Sequence, residues 1–485
     1  MSISGTLSSA LSGLTAASKA AEIVSSNIAN ATTPGYGRRT LQTTSRVVGT
    51  SGQGVLITGV AREVNQPLLS DRRLAQAASG GADTATAFYK RLETTLGTPD
   101  QAFSITGRAA AFGAALTEAI SHPESEPRLA GILSTAKGLA NQITTASRDV
   151  QSARTGADGA IANEVTLLNA ALDRISKLNV QIRKGSGTGQ DVSALLDQRQ
   201  QQIDTIAPII PFREVQQDGG AIALYSTNGA VLMDGAPAVF GFNATASISP
   251  YMTAVGGGLS GLTLNGRAVA TSGDSSVILG GSLAANFAVR DELGVKAQAQ
   301  LDGVARDLVE RFQDSGIDST RGASDAGLFT DTGAAFDPAN EIGLAQRLKI
   351  NTAADPDKGG ALWRLRDGLG ASASGPVGAT GLLSDLRNAL TGQRAPVSGG
   401  FIAGLRSFSV LTSDMLSSAA TNRLNAEGET VYNKTRVDTF TSMEAQDGVD
   451  TDQELQSLLQ IEQSYAANAK VIKTVDSLIQ TLLDI

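Results

Sequence analysis

The two ends of this chain carry apolar seams of the same period, and a chain built that way is constrained to bring its termini together. Read at spacings of alternately three and four, the stretch from Thr451 to Ile485 aligns Leu458, Ile461, Tyr465, Asn468, Ile472, Val475, Ile479 and Leu482. All but Asn468 are apolar or aromatic, and polar residues such as Glu462, Lys470 and Lys473 fill the intervals. This is a heptad seam on a helix about 50 Å long, and a polar seam position such as Asn468 is expected to fix register. At the other end Ile3, Leu7, Ala10, Leu14, Ala17, Ala21, Val24, Ile28 and Ala31 follow the same alternation. Small seam residues let backbones approach closely, so this helix is suited to lie against another helix. The expected assembly interface is therefore Ile3, Leu7, Leu14, Val24 and Ile28 with Leu458, Ile461, Tyr465, Asn468, Ile472, Val475, Ile479 and Leu482.

Composition narrows the rest. A chain of 485 residues exceeds one core, and 41% hydrophobic content with only 4% aromatics and 53 glycines favours thin, turn-rich domains. The 39 basic and 47 acidic residues are interspersed, so no basic run marks a nucleic-acid face. No apolar run is long enough to span a membrane. The N-terminus lacks the apolar core of a secretory signal. Cysteine is absent, which excludes thiolate metal sites, disulfides and cysteine nucleophiles. The single histidine, His122, sits in Ser121-His122-Pro123-Glu124 and reads as an exposed helix C-terminal residue.

Along the chain, Pro34-Gly35 has the chemistry of a tight turn. It leads into an extended segment from Thr40 to Arg62, with a turn expected at Ser51–Gly54. Helical periodicity then marks Phe88 to Leu96, Ala109 to Ile120, Leu129 to Val150, Ile161 to Ile182 and Val192 to Ile206. From Pro208 to Gly281, short β-type runs (Ala221–Tyr225, Val277–Leu279) alternate with Asp-Gly, Asn-Gly and Gly-Gly turns, as in a small antiparallel β domain. Helix resumes from Ser282, residues 314–400 are Gly/Asp-rich with weak periodicity, and helix returns from Phe401 to Leu424.

The expected fold is multidomain α+β: long terminal helices paired as a coiled coil, an elongated helical-bundle domain, and a small antiparallel β domain inserted in the middle. The expected division assigns 1–45 and 450–485 to the paired helices. It assigns 46–207, 282–313 and 401–449 to the helical rod, and 208–281 to a β-rich outer domain. Residues 314–400 read as loops that could belong to the outer domain.

Candidate chemistry dissolves on inspection. Gly256–Gly261 matches G-x-G-x-x-G, but Leu262–Gly266 after it reads as strand and turn rather than a helix start, so it is a turn and not a dinucleotide motif. Asp314, Asp318, Asp325, Asp331 and Asp337 fail the spacing of a calcium loop and read as solvated. Leu195–Arg199 reads as a solvated helix face. Asn30-Ala31-Thr32 and Asn243-Ala244-Thr245 are formal glycosylation sequons without further support. No cofactor or metal is expected.

The segment Ser26-Asn27-Ile28-Ala29-Asn30-Ala31-Thr32-Thr33-Pro34-Gly35-Tyr36 resembles the one that follows the first helix in bacterial flagellar axial proteins of the rod, hook and hook-associated group. Gln463–Ile472 resembles the C-terminal segment of the same group. Leu195–Arg199, Val215–Gly220, Gly280–Leu283, Arg62-Glu63 and Arg72-Arg73-Leu74 further resemble the hook-associated protein 1 (FlgK) family, and helices over 84–206 fit it better than the mainly β middles of rod and hook proteins. The resemblance implies a structural, non-enzymatic subunit at the hook–filament junction, assembling helically with copies of itself. It also implies contacts with the hook protein and a second hook-associated protein on the filament side. Further implications are export unfolded through the flagellar type III apparatus to the cell exterior, and an FlgN-type chaperone on the last helix, at Leu458, Ile461, Tyr465, Ile472, Ile479 and Leu482. The β middle is shorter than in longer members, so an additional outer domain of those is expected to be missing. A hook or rod subunit is the alternative, and an enzyme domain on an axial frame a more remote one. Ordering a long terminal helix costs more backbone entropy than its seam side chains return, so both ends are expected to be mobile in a monomer.

Overall fold

The computed structural model of the chain describes residues 3–48, 51–314 and 316–484. Helix α1 (Ile3–Asn30) is followed by a hairpin of β1 (Arg38–Val48) and β2 (Ser51–Glu63), then α2 (Gln66–Leu96), α3 (Ile105–Ser121), α4 (Glu126–Gly187) and α5 (Ser193–Ile206). Strands β3 (Phe212–Gln216), β4 (Ile222–Ser226), β5 (Val231–Asp234) and β6 (Ala236–Pro237) form one antiparallel sheet in that order. Strands β7 (Phe240–Gly241), β8 (Thr263–Leu264) and β9 (Arg267–Ala268) form another. Helix α6 (Gly281–Ala288) passes through a π-turn at Val289–Leu293 into α7 (Gly294–Gln313). There follow β10 (Phe329–Asp331), α8 (Leu344–Arg347), β11 (Leu348–Ile350), α9 (Arg364–Asp367), α10 (Gly381–Thr391), α11 (Phe408–Gln446) and α12 (Thr451–Leu483).

The architecture is multidomain α+β, with long terminal helices paired, a helical bundle, and small antiparallel sheets between them. Helix starts are set locally. Asn65 accepts from Leu68 N at α2, Ser104 from Gly107 N at α3, Ser407 from Val410 N at α11, and Asp450 from Asp452 N and Gln453 N at α12. His122 is the C-cap of α3, exposed, with Nδ1 3.1 Å from Glu124.

Two apolar cores lie along one helix. The first joins α2, α3, the first half of α4, α7, α10 and the start of α11 around Phe112, Phe312, Phe329 and Phe408. The second joins the later half of α4 with α5, α6 and the β strands around Ile175, Ile210, Leu224 and Phe240. The sequence reads α4 as two helices, over 129–150 and 161–182, but the 62 residues run without a break, about 93 Å at 1.5 Å per residue. Gly156 and Gly159 face open space there. The buried side chains of Arg154 and Asp158 hold the intervening turn in place. Arg154 donates to the carbonyls of Arg290 (2.7 Å), Ser249 and Met252, and Asp158 pairs with Arg290 at 2.7 Å.

Several expectations are corrected. Residues 314–400 do not join the β domain: Leu328, Phe329, Phe336, Leu344, Leu365 and Leu386 sit in the first core, with the helices. Nor are their aspartates all solvated. Asp318 is buried and accepts from Thr320 N (3.0 Å) and Leu369 N (2.8 Å), while Asp331 pairs with Arg347 at 2.8 Å. The weak periodicity arises because side chains, not long elements, satisfy this segment's backbone. The extended segment read over Thr40–Arg62 is strand, and helix follows from Gln66, but Ser51–Gly54, read as a turn, lies within β2. Val277–Leu279 is a turn with Ile278 buried rather than a strand. The helix read over 401–424 instead runs Phe408–Gln446, packed along α2.

Candidate assembly site at the paired termini

Helices α1 and α12 pack together antiparallel, since Asn27 near the end of α1 meets Glu454 near the start of α12. Small residues make the close approach. Ala10, Ala17 and Val24 are buried on α1, as is Val475 on α12, and Leu14, Ile28, Leu458, Ile461, Asn468, Ile472 and Ile479 are half-buried. Ile3, Leu7 and Tyr465 remain exposed, and the side chain of Leu482 lies outside the described residues. Asn468 does not bond across the pair. Its Nδ2 donates to Ser464 O of its own helix at 2.9 Å, and its amide lies over Gly13, where a Cβ would come 2.8 Å from Nδ2. The expected polar register device is thus a fit of shape, an amide seated in a notch.

The hairpin lies against α1. Gly54 makes this possible: its φ is +94, and a Cβ there would sit 2.9 Å from Ser9 Cα. Ser12 Oγ accepts from Val55 N at 3.0 Å. Between α1 and β1, Gly35 turns the chain at φ +77, with Tyr36 N donating to Thr33 O.

At the base of the pair the contacts become polar and buried. Asn27 Oδ1 accepts from Arg39 N (3.0 Å) and Tyr36 Oη (2.9 Å). Asn27 Nδ2 donates to Arg39 O (2.9 Å) and to Glu454 Oε2 (3.1 Å). Glu454 Oε1 accepts from Arg38 Nε at 2.7 Å, and this bond holds the Arg38 guanidinium above its ordinary pKa against the opposing effect of desolvation. Asp197 of α5 binds the other side of the hairpin, accepting from Gly37 N (3.0 Å), Arg62 Nε (2.6 Å) and Arg39 Nη2 (2.7 Å). Below it, Arg72 pairs with Asp204 and Glu444, and Arg73 with Asp204 and Glu214, at 2.7–2.9 Å.

This polar joint is what the sequence reading missed. Leu195–Arg199 was expected to be a solvated face, yet Asp197, Arg199 and Gln200 are all buried. Burial lowers the Arg199 guanidinium to about 10, and it donates to Asn179 Oδ1 and Gly220 O. Arg38-Arg39 directly after a Pro-Gly turn is a visible signal, but its partners lie far off in sequence.

Among the described residues, no cluster of His, Asp or Glu could hold a metal ion, and no helix is long and apolar enough to cross a membrane. Gly256–Gly261 precedes β8 and no helix, so it is the turn the sequence reading takes it for.

Three family models match the chain. Residues 89–329 match the flagellar hook-associated protein FlgK helical domain, 7–36 the flagella basal body rod protein, and 443–485 the C-terminal segment of the flagellar basal body rod FlgEFG proteins. Flagellar hook-associated protein 1 of Salmonella typhimurium is 31% identical over 243 residues, 49% of this chain and 44% of the relative. The Escherichia coli K12 protein of that name is 28% identical over the same shares. The chain therefore matches under half the length of these curated relatives. The structure of the flagellar hook junction protein FlgK from Burkholderia pseudomallei aligns with TM-score 0.44 at 20% identity, covering 54% of this chain and 46% of that one. The chain thus carries a match to the FlgK helical domain, framed by matches to the terminal segments of flagellar axial proteins, and is similar over about half its length to flagellar hook-associated protein 1.

Proposed function

We propose that this chain is a non-enzymatic structural subunit of the bacterial flagellum, joining hook to filament by helical self-assembly through residues 1–45 and 450–485. The observation that carries the reading is the apolar surface left on the terminal pair. Leu455, Leu459, Val471 and Leu478 are 40–58% exposed and Leu483 is 79% exposed, off the seam, with Leu11 of α1 57% exposed. They flank the seam on more than one side, as suits a helix pair surrounded by neighbours in a tube. A heterologous contact repeated by rotation and translation builds such a tube. Its two ends would meet the hook protein and a second hook-associated protein on the filament side.

Before assembly, the seam residues Leu458, Ile461, Tyr465, Ile472, Ile479 and Leu482 would be held by an FlgN-type export chaperone, and the chain would leave the cell unfolded through the flagellar type III apparatus. The chaperone and α1 would compete for one face, so the two complexes exclude each other. The test is complementation of a strain lacking this gene, with gold-labelled antibody on isolated flagella. The full chain should restore filaments and label the distal end of the hook, and a variant lacking residues 455–485 should do neither while losing the chaperone in a pull-down. Label along the hook or rod, or filaments restored by the truncated chain, would overturn the reading.

A further inference from the structure

The sequence holds two Asn-Gly pairs, Asn228-Gly229 and Asn265-Gly266, and both close exposed hairpins of the β domain. An asparagine before glycine can react with its own chain, because no Cβ shields the glycine nitrogen that attacks the side-chain amide. The two pairs are held differently. At Asn228 every reacting group is engaged: Gly229 N donates to Ser226 O at 2.9 Å, and Asn228 Nδ2 donates to Ser276 O at 2.7 Å and Asp274 O at 3.3 Å. Asn265 and Gly266 turn the chain between the two-residue strands β8 and β9 with φ +51 and +78, the signature of a type I′ turn. Among the described residues, neither Gly266 N nor Asn265 Nδ2 donates to an acceptor, and the side chain's one bond is from Val239 N to Asn265 Oδ1 at 2.8 Å. The turn stands clear of the rest of the fold, since a Cβ at Gly266 would meet nothing within 4 Å.

We propose that Asn265-Gly266 is a self-modification site, where the folded chain converts its own amide into aspartate and isoaspartate while Asn228 stays intact. Gly266 N attacks Cγ of Asn265, the new N–Cγ bond closes a five-membered succinimide, and the Cγ–Nδ2 bond breaks. The Gly266 amide proton passes through solvent to the departing nitrogen, which leaves as ammonia. Water, the only other reactant, then reopens the ring, giving aspartate by attack at Cγ and isoaspartate by attack at the backbone carbonyl carbon. The Val239 N–H already faces Oδ1, where negative charge gathers in the tetrahedral adduct, and a donor aimed at developing charge favours that step. Asn265 must rotate out of its turn for the two atoms to meet, and what opposes this is a hairpin two residues deep. Isoaspartate adds one carbon to the main chain, slack that a two-residue turn cannot take up, so the modified chain should open β8–β9 and lose its ties to Val239. The inference concerns this turn alone and is independent of the role proposed above.

The test is ageing of the purified full-length chain in warm, mildly alkaline buffer, with its peptides read by mass spectrometry. Residue 265 should gain the mass that exchange of an amide for a carboxyl gives, and protein isoaspartyl methyltransferase should label the same peptide. Each hydrogen bond that must first break slows attack about two- to tenfold, so Asn228, with three bonds around it, should react at least about tenfold more slowly. In concentrated guanidinium those bonds are gone and the two pairs should react alike. Asn265→Gln, which enlarges the ring that must close, should abolish both the mass gain and the methyl label. Equal rates at the two sites in the folded chain, an Asn265 that stays unmodified, or a difference that persists in guanidinium would overturn the inference.

Discussion

The carboxamide of Asn468 lies over the bare Cα of Gly13, and a side chain at residue 13 would force that amide out of its place. Discrimination at this seam position is therefore steric, because the amide bonds only within its own helix.

Gly13→Ala would place a methyl group 2.8 Å from Asn468 Nδ2. Overpacking costs about 1–3 kcal/mol, against a helix-propensity gain of about 1 kcal/mol, so the variant should loosen the terminal pair. Adding Asn468→Ala should restore it by emptying the notch. Exchange rates of α12 in the single and double variants decide this. Loosening that persists in the double variant would mean that Gly13 matters for another reason.

Asp197 gathers a backbone N–H and two arginines in a buried setting. Asp197→Ala would leave Arg39 and Arg62 without their shared counter-charge, and breaking such a pair costs about 3–5 kcal/mol. Urea unfolding followed by circular dichroism should show that loss, with protease cleavage appearing first in the hairpin. A change below about 0.5 kcal/mol, the usual size for a surface site, would return this residue to a solvated face.

Burial pushes the Asp302 carboxyl from its ordinary 3.8 up to about 6, prevailing over bonds from Ala345 N, Gly343 N and Gln298. Between about pH 4 and 6 the folded chain holds a proton there that the unfolded chain has released. The stability from this group is full below about pH 4, is lost as pH rises through about 6, and stays flat above. The difference amounts to about 3 kcal/mol. Subtracting the pH–stability curve of Asp302→Asn from that of the parent should expose this slope, and a difference that is level with pH would contradict it.

Leu459 and Leu478 touch little in the monomer, being 58% and 52% exposed. Replacing both with glutamate should leave monomer stability within about 0.5 kcal/mol per site while abolishing assembly. Thermal unfolding and filament formation in the complemented strain measure the two effects. Normal filaments would show that these leucines are not assembly contacts.

The sequence shows what is periodic and hides what is paired at a distance. The seams of α1 and α12 are legible because a helix buries every third or fourth residue whatever its partner. The first-core role of residues 314–400 is not, since Asp318, Asn351 and Arg366 stabilise that segment through bonds to loop backbone that leave no repeat. Asp197 looks solvated because charged residues on a helix usually are, and only the fold brings Arg39 and Arg62 to it. Glu454 is hidden in the same way, as one more acid in a first helical turn. The continuity of α4 escapes notice because its mid-helix apolar stripe lapses where the cores change over, and the buried polar band of Gln151, Arg154 and Asp158 takes its place.

That 62-residue helix gives the molecule an unusual mechanical layout. The two cores are threaded on one shaft, so a twist imposed at one of them reaches the other through unbroken backbone hydrogen bonds instead of across a yielding interface. Bending stiffness between them comes from α4, from α6 running through its π-turn into α7 beside it, and from the Arg154–Asp158–Arg290 tie that joins the two.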